Sequence, residues 1–390
     1  MESELNMQLL YFTSPSISAD GEDLFFIGEK DGHPNLYCMN LKDKKICQLT
    51  ENQYGELKSY VYFWGDETKG LGKASVSLDA ERKILYYIQD NCIYKTDMQG
   101  NRRYLNRIPD QEVTAFTHVS KDGKYLCVPT SDARTLEFTE QEKMERNIGY
   151  DIDLRVQEEN LKSYIRIYDT GTGQLLKEET VQRAWVTHVQ FSPVNPEMIL
   201  YNHEWCHDSG IRRMWIWDGK KHYPLRQESQ ERKKEDWTCH EMWESDGAHI
   251  IYHGKYENGI SYIGRVNPDG TDVREIPLPD TYQQYGHFTV ANCRKNLLVS
   301  DGYYTEDACD TFWAGRIISI QKVDWEKSKL QWIPLCYHGS GWSSQDCHPH
   351  LVFDGKDEKV YFTSDMDGKR KIYYVFVEGE NKLLDSGYEI

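Results

Sequence analysis

One phrase recurs along this chain, and it limits the fold more than any other feature. Ser18-Ala19-Asp20-Gly21 is followed by an apolar run, Leu24-Phe25-Phe26-Ile27, then Asp31-Gly32, a second run from Asn35 to Leu41, and Gln48-Leu49-Thr50. That reads as strand, Asp-Gly turn, strand, turn, strand, polar turn, strand. The phrase returns at Ser75–Asp79 with Ile84–Ile88, and at Thr117–Gly123 with Tyr125–Val128. It returns again at His188–Pro193 with Met198–Tyr201, at His240–Gly247 with Ile250–Tyr252, at His287–Asn292 with Leu297–Val299, and at His348–Gly355 with Val360–Ser364. Seven units of four short strands predict an all-β, seven-bladed β-propeller of the TolB/WD type, since a ring leaves no unpaired ends where a solenoid would. The whole chain, 1–390, reads as a single propeller domain. Leu9-Leu10-Tyr11-Phe12, ahead of the first full unit, is expected to complete the last blade and latch the ring. Two stretches interrupt the pattern, at about 130–162 (with a helical segment expected at Thr139–Arg146) and about 301–315. Both are expected as loops on a face of the disc, shaping a ligand site or merely decorating it.

Composition narrows the function. Asp and Glu number 63 against 46 Lys and Arg, a formal net charge of −17, which argues against a nucleic-acid or acidic-membrane binder. A small anionic ligand needs only a few local cations and stays compatible. No window is apolar enough to span a bilayer, and the N-terminus lacks a basic segment followed by an apolar one. The ten cysteines are scattered without a Cys-x-x-Cys pair, as expected of reduced thiols in a cytoplasmic protein. There is no Gly-x-Ser-x-Gly elbow, phosphate-binding loop or dinucleotide fingerprint, so serine hydrolase, NTPase and dehydrogenase readings lose support.

The histidines carry the chemistry. In a propeller the first strand of each blade lines the central channel, and His188, His240, His287 and His348 all fall at that place in four consecutive units. A lone histidine there is usually a structural, hydrogen-bonded one; four from neighbouring blades point to shared use. The run Gln345-Asp346-Cys347-His348-Pro349-His350 reads as the start of a strand, which would put both imidazoles on one side. His287, His348, His350 and Gln345 together would give a metal site of three nitrogens and one oxygen. By ligand softness it suits zinc, iron or nickel at least as well as manganese. His240 would remain unmetallated as a base. Arg213 is a candidate clamp for an anion, although an isolated arginine is more often a surface charge. His203-Glu204 is either an orienting pair or a solvated rim.

His188-Val189-Gln190-Phe191-Ser192-Pro193, His203-Glu204, Arg213-Met214-Trp215, His240-Glu241-Met242-Trp243, His287 and Gln345-x-x-His348-x-His350 resemble the oligogalacturonate lyase family. The specific motifs cover about 188–375; the first half matches only through its propeller repeats. The resemblance implies cytoplasmic enzymes that use manganese to cleave short, often unsaturated galacturonide oligomers by β-elimination, releasing 5-keto-4-deoxyuronate. It implies His240 as the base, His287, Gln345, His348 and His350 as metal ligands, and Arg213 as a contact to the substrate carboxylate. His188 and His203 are further candidates for substrate binding. The chain departs from the family pattern at Trp205-Cys206, where Gly-Pro is usual, which bears on the preferred uronide. The rival readings are a related lyase for another uronide and a non-catalytic, protein-binding propeller.

Overall fold

The computed structural model describes residues 5–53, 57–58, 70–137, 148–204, 212–226, 237–279, 286–302, 317–341, 345–378 and 386–390. These residues form seven sheets arranged as the blades of a β-propeller. Blade one comprises Asn6–Leu9, Asp23–Lys30, His33–Asn40 and Ile46–Gln48. In blades four to seven the inner strands are Val189–Phe191, Trp237–Trp243, Phe288–Val290 and Val352–Phe353. In blades two and three the inner strand is broken in two, Leu71–Gly72 with Ser77–Asp79 and Glu112–Thr114 with His118–Val119.

The repeated phrase has a local cause. Ser18 Oγ donates to Asp20 Oδ1 at 2.6 Å and accepts from the Asp23 amide at 3.0 Å. Ser120, Asp122 and Tyr125 repeat this at 2.7 and 3.0 Å. Gly21 and Gly123 supply the left-handed backbone, φ +74° and +70°, that the turn demands. The apolar runs are continuous rather than alternating because each blade is covered on both faces. Phe25 and Ile27 pack against Leu78, Leu85 and Tyr87 of blade two, whereas Leu24 and Phe26 pack against Val352, Tyr361 and Ile372 of blade seven.

Closure differs from the expected latch. Asn6–Leu9 is the inner strand of blade one, and the outer strand of blade seven is Tyr388–Glu389. The N-terminal strand instead grips blade seven through the Met7 amide to Arg370 O (2.9 Å) and the Leu9 amide to Thr363 Oγ1 (3.0 Å). The chain after it, Tyr11 and Phe12, turns into the channel and joins a buried cluster with Phe116, Met242 and Phe288. The channel is therefore plugged near its axis. The helical segment expected at Thr139–Arg146 lies outside the described residues, as does most of 301–315. The helix of the first insertion runs Ile148–Glu158, and its Ile152 and Val156, one turn apart, pack on Leu161 and Trp185.

A candidate metal centre with a neighbouring imidazole

The histidines gather at the end of the channel where the inner strands begin. His287 lies 4.8 Å from His240, 5.1 Å from His348 and 4.9 Å from His350 between ring centroids. Phe12 closes them from below, 5.3 Å from His240 and 5.5 Å from His287, and Tyr11 lies 4.8 Å from His350. One ligand atom from each of His287, His348 and His350 falls within 4.8 Å of the others.

Each ring is placed by a specific local device. His287 precedes Phe288–Val290, and Asp301 accepts from its backbone amide (2.6 Å) and meets its Nδ1 (3.0 Å). Nδ1–H is thereby committed to the carboxylate, and the lone pair is left on Nε2. This carboxylate–imidazole pairing is the usual support of a metal-binding histidine. Burial pushes the His287 pKa down against the opposing pull of Asp301. His348 and His350 do not open a strand, as the sequence suggested. They follow a 3-10 turn, Gln345–Cys347, and the strand starts only at Val352. Pro349 has no amide to give a ladder, though its carbonyl accepts from Thr363 (2.9 Å), and His350 takes a left-handed φ of +45°. That backbone reversal, rather than strand alternation, turns both rings toward His287. His350 is fully buried, and among the described residues neither of its ring nitrogens has a hydrogen-bond partner. Burial lowers its pKa far below the usual histidine value and that of His348 to about 3, so both rings are neutral and able to bind a cation.

His240 stands on a β-bulge. The ladder runs Cys239 opposite His253 and then Glu241 opposite Tyr252, leaving His240 as the extra residue with φ +45°. Its Nδ1 is 2.9 Å from His253 Nε2 and 3.2 Å from Gly286 O. A carbonyl only accepts, so Nδ1 of His240 carries the hydrogen and Nε2 the lone pair. Burial, then the charge of Arg213, holds its pKa below the usual value.

Arg213, the candidate anion clamp, is engaged by two carboxylates. Its Nε donates to Glu241 (2.9 Å) and its Nη1 to Glu204 (3.0 Å), and His188 sits 3.3 Å from Glu241. Burial alone would raise the Glu204 pKa, but Arg213 and His188 bring it down to about 2, and Glu241 is depressed further. His188 is enclosed by Phe116, 4.3 Å away between ring centroids. His203 is separated from the group by strand alternation. Asn202 and Glu204 face the site, where Asn202 accepts from the His188 amide (2.8 Å) and bonds Glu204 (2.8 Å). Tyr201 and His203 share the other face, with His203 5.4 Å from Trp215. Burial lowers the His203 pKa to about 3. The side chain of Gln345 lies outside the described residues.

Three site residues escaped the sequence reading. Asp301 sits at the end of its strand as Asn202 does in blade four, each accepting from the amide of the channel histidine beside it. Aligning those two blades would have revealed it. Lys73 stands alone among small and apolar residues in the break of blade two's inner strand; it is 1 % exposed and 4.0 Å from Asp346. Burial brings its pKa down to about 7, partly offset by Asp346. His253 gave no signal beyond its place in an apolar strand. The 430 Å³ cavity at the opposite mouth, lined by Ser18, His118, Gln190 and Phe353, meets the histidine group only at Phe12.

The match to known proteins extends over the same arrangement. The family model described as oligogalacturonate lyase matches residues 3–380. The chain belongs to the oligogalacturonate lyase family. It is 25% identical to an oligogalacturonide lyase of Pectobacterium atrosepticum, covering 93% of this chain and 88% of that one. It is 26% identical to an oligogalacturonate lyase of Dickeya dadantii with the same coverage. A solved oligogalacturonate lyase in complex with manganese superposes with a TM-score of 0.76 at 19% identity, over 97% of this chain and 91% of that one. The Vibrio parahaemolyticus oligogalacturonate lyase gives 0.75 at 22%, over 98% and 93%. Membership in a family of lyases makes the chain an enzyme and sets aside the non-catalytic scaffold.

Proposed function

We propose that this enzyme cleaves short galacturonide oligomers by β-elimination, with a divalent cation, manganese by analogy with the solved relative, at His287, His348, His350 and Gln345. The observation that carries the reading is the asymmetry among the four rings: three share one small space, while the fourth, 4.8 Å from His287, is held through Nδ1 by His253 and Gly286 O, which leaves its lone pair on Nε2. The donors fit a cation, because His350 has no hydrogen-bond partner among the described residues and Asp301 fixes the lone pair of His287. When bound, the cation supplies positive charge to the uronate carboxylate, which makes the C5 proton more acidic.

The chain's own residues then do the following. His240, neutral at physiological pH, takes the C5 proton on Nε2, and its Nδ1–H toward Gly286 O and His253 keeps the ring in that tautomer. The electron pair left at C5 expels the C4 oxygen, which becomes the hydroxyl of the departing sugar by taking a proton from water, giving an unsaturated sugar at the new end and, from an unsaturated dimer, 5-keto-4-deoxyuronate. Arg213 contributes charge and contacts the substrate carboxylate in competition with Glu204 and Glu241. His188 lies behind that pair as its support. Phe12 and Tyr11 keep the floor dry, which strengthens each of these interactions. A cytoplasmic setting is part of the same proposal. No described helix is long and apolar enough to cross a membrane.

Trp205-Cys206 in place of Gly-Pro favours a second reading in which the same machinery serves another uronide. Following the ultraviolet absorbance of an unsaturated product with di- and trigalacturonate and with other uronides, with and without chelator, decides. Chelator-sensitive turnover of the galacturonides supports the first reading; turnover of another uronide alone supports the second; none on any uronide overturns both.

A further inference from the structure

The bulge that presents His240 also builds a second cluster of metal donors. Regular alternation would send the side chains of Cys239 and His240 to opposite faces of their strand. The extra residue and the left-handed φ at His240 cancel that alternation, so both side chains turn toward His253, which faces Cys239 across the ladder. One donor atom from each of Cys239, His240 and His253 lies within 4.8 Å of the others. Zinc bound to one sulfur at about 2.3 Å and two imidazole nitrogens at about 2.0–2.1 Å holds such donors roughly 3.3–3.8 Å apart. Small side-chain rotations reach that spacing. His253 is buried, whereas Cys239 and His240 are partly exposed, so an ion has a way in.

We propose that Cys239, His240 and His253 form a second metal site, selective for thiophilic divalent cations of the zinc class, whose occupation switches the enzyme off by capturing its base. Sulfur separates it from the first centre: a thiolate with two imidazoles discriminates strongly for zinc over manganese, whereas an imidazole and amide set does so weakly. On binding, the Cys239 thiol gives its proton to water and the thiolate bonds the metal. If His240 binds through Nδ1, the hydrogen there shifts to Nε2; if through Nε2, the lone pair is used directly. In either case the ring no longer accepts a proton from C5. The binding rests on geometry alone, while the inhibition rests on the lyase reading above.

The test uses the full chain loaded with manganese and titrated with cobalt, whose bond to thiolate gives an intense near-ultraviolet absorption. Wild type is expected to develop that band, saturating at one equivalent, and Cys239→Ser to lose it. Among the described cysteines, exposed Cys47 and Cys293 are the alternative source of such a band, and they remain in the variant. Zinc titrated into the turnover assay is expected to abolish wild-type activity with a midpoint that shifts to higher zinc in Cys239→Ser. Cys239→Ala serves should the serine variant misfold. A missing band, or one that persists in both variants, overturns the site. An unshifted zinc midpoint overturns the inhibition. If no uronide is turned over, the lyase reading fails while the cobalt band still decides the site.

Discussion

Replacing Asp301 by Asn tests the carboxylate contact that, in the proposed site, readies His287 as a ligand. The carboxylate is 1 % exposed and accepts from two donors, the His287 amide at 2.6 Å and its Nδ1–H at 3.0 Å. Asparagine offers a single acceptor oxygen. If that oxygen stays on the amide, the NH2 group meets Nδ1–H, and the imidazole must move its hydrogen to Nε2, the atom facing the other histidines. If the amide group flips, the backbone N–H loses its acceptor instead. The first outcome blocks the lone pair and removes a buried negative charge beside the proposed cation site. Loss of such a support typically weakens metal binding about 10–100-fold, or about 1.4–2.7 kcal/mol. Calorimetric titration of the apo-protein with manganese reads this directly, and a thermal melt of the same sample shows whether the variant is folded. A folded Asp301→Asn variant with wild-type manganese affinity would refute the reasoning.

The buried charge group makes further predictions. Glu241→Gln removes one of the two carboxylates paired with Arg213 and should lower stability by about 3–5 kcal/mol in denaturant unfolding, whereas breaking the surface pair Lys327–Asp324 should change it by about 0–1 kcal/mol. Glu204 has an ordinary pKa of 4.5 and a folded value of about 2, so it stabilises the fold above the former by about 3 kcal/mol and loses that contribution as pH falls through the latter. Unfolding free energy measured against pH should therefore decline below about 4.5, and less steeply in Glu204→Gln. His203→Gln should lower the melting temperature and leave KM unchanged, because its ring packs on Trp215 and Tyr201; a large rise in KM would return it to the substrate site.

The sequence made the blades readable because their determinants are local. Ser18, Asp20 and Gly21 close one turn among themselves, and Ser120, Asp122 and Gly123 close another the same way. The channel histidines were readable for the same reason, since repeat position fixes their radius in a ring. What resisted was set by non-local geometry. His240 and His350 owe their directions to left-handed residues that no spacing rule signals. The carboxylate partners of Arg213 gave no sign, because Glu241, 28 positions later, returns beside it only once blades four and five stack. Tyr11 and Phe12 read as strand, yet the channel axis offers them more burial than a sheet edge would. His203 and Glu204 read as a unit, and a period of two sends them to opposite faces.

The division of labour among the imidazoles is tested most directly by His240→Asn, a residue that tolerates the left-handed backbone and cannot serve as a base. Manganese affinity and turnover of unsaturated digalacturonate, measured on one preparation, should separate. Near-normal metal binding with turnover lost is the expected result. Retained turnover, or loss of the metal together with activity, would contradict it.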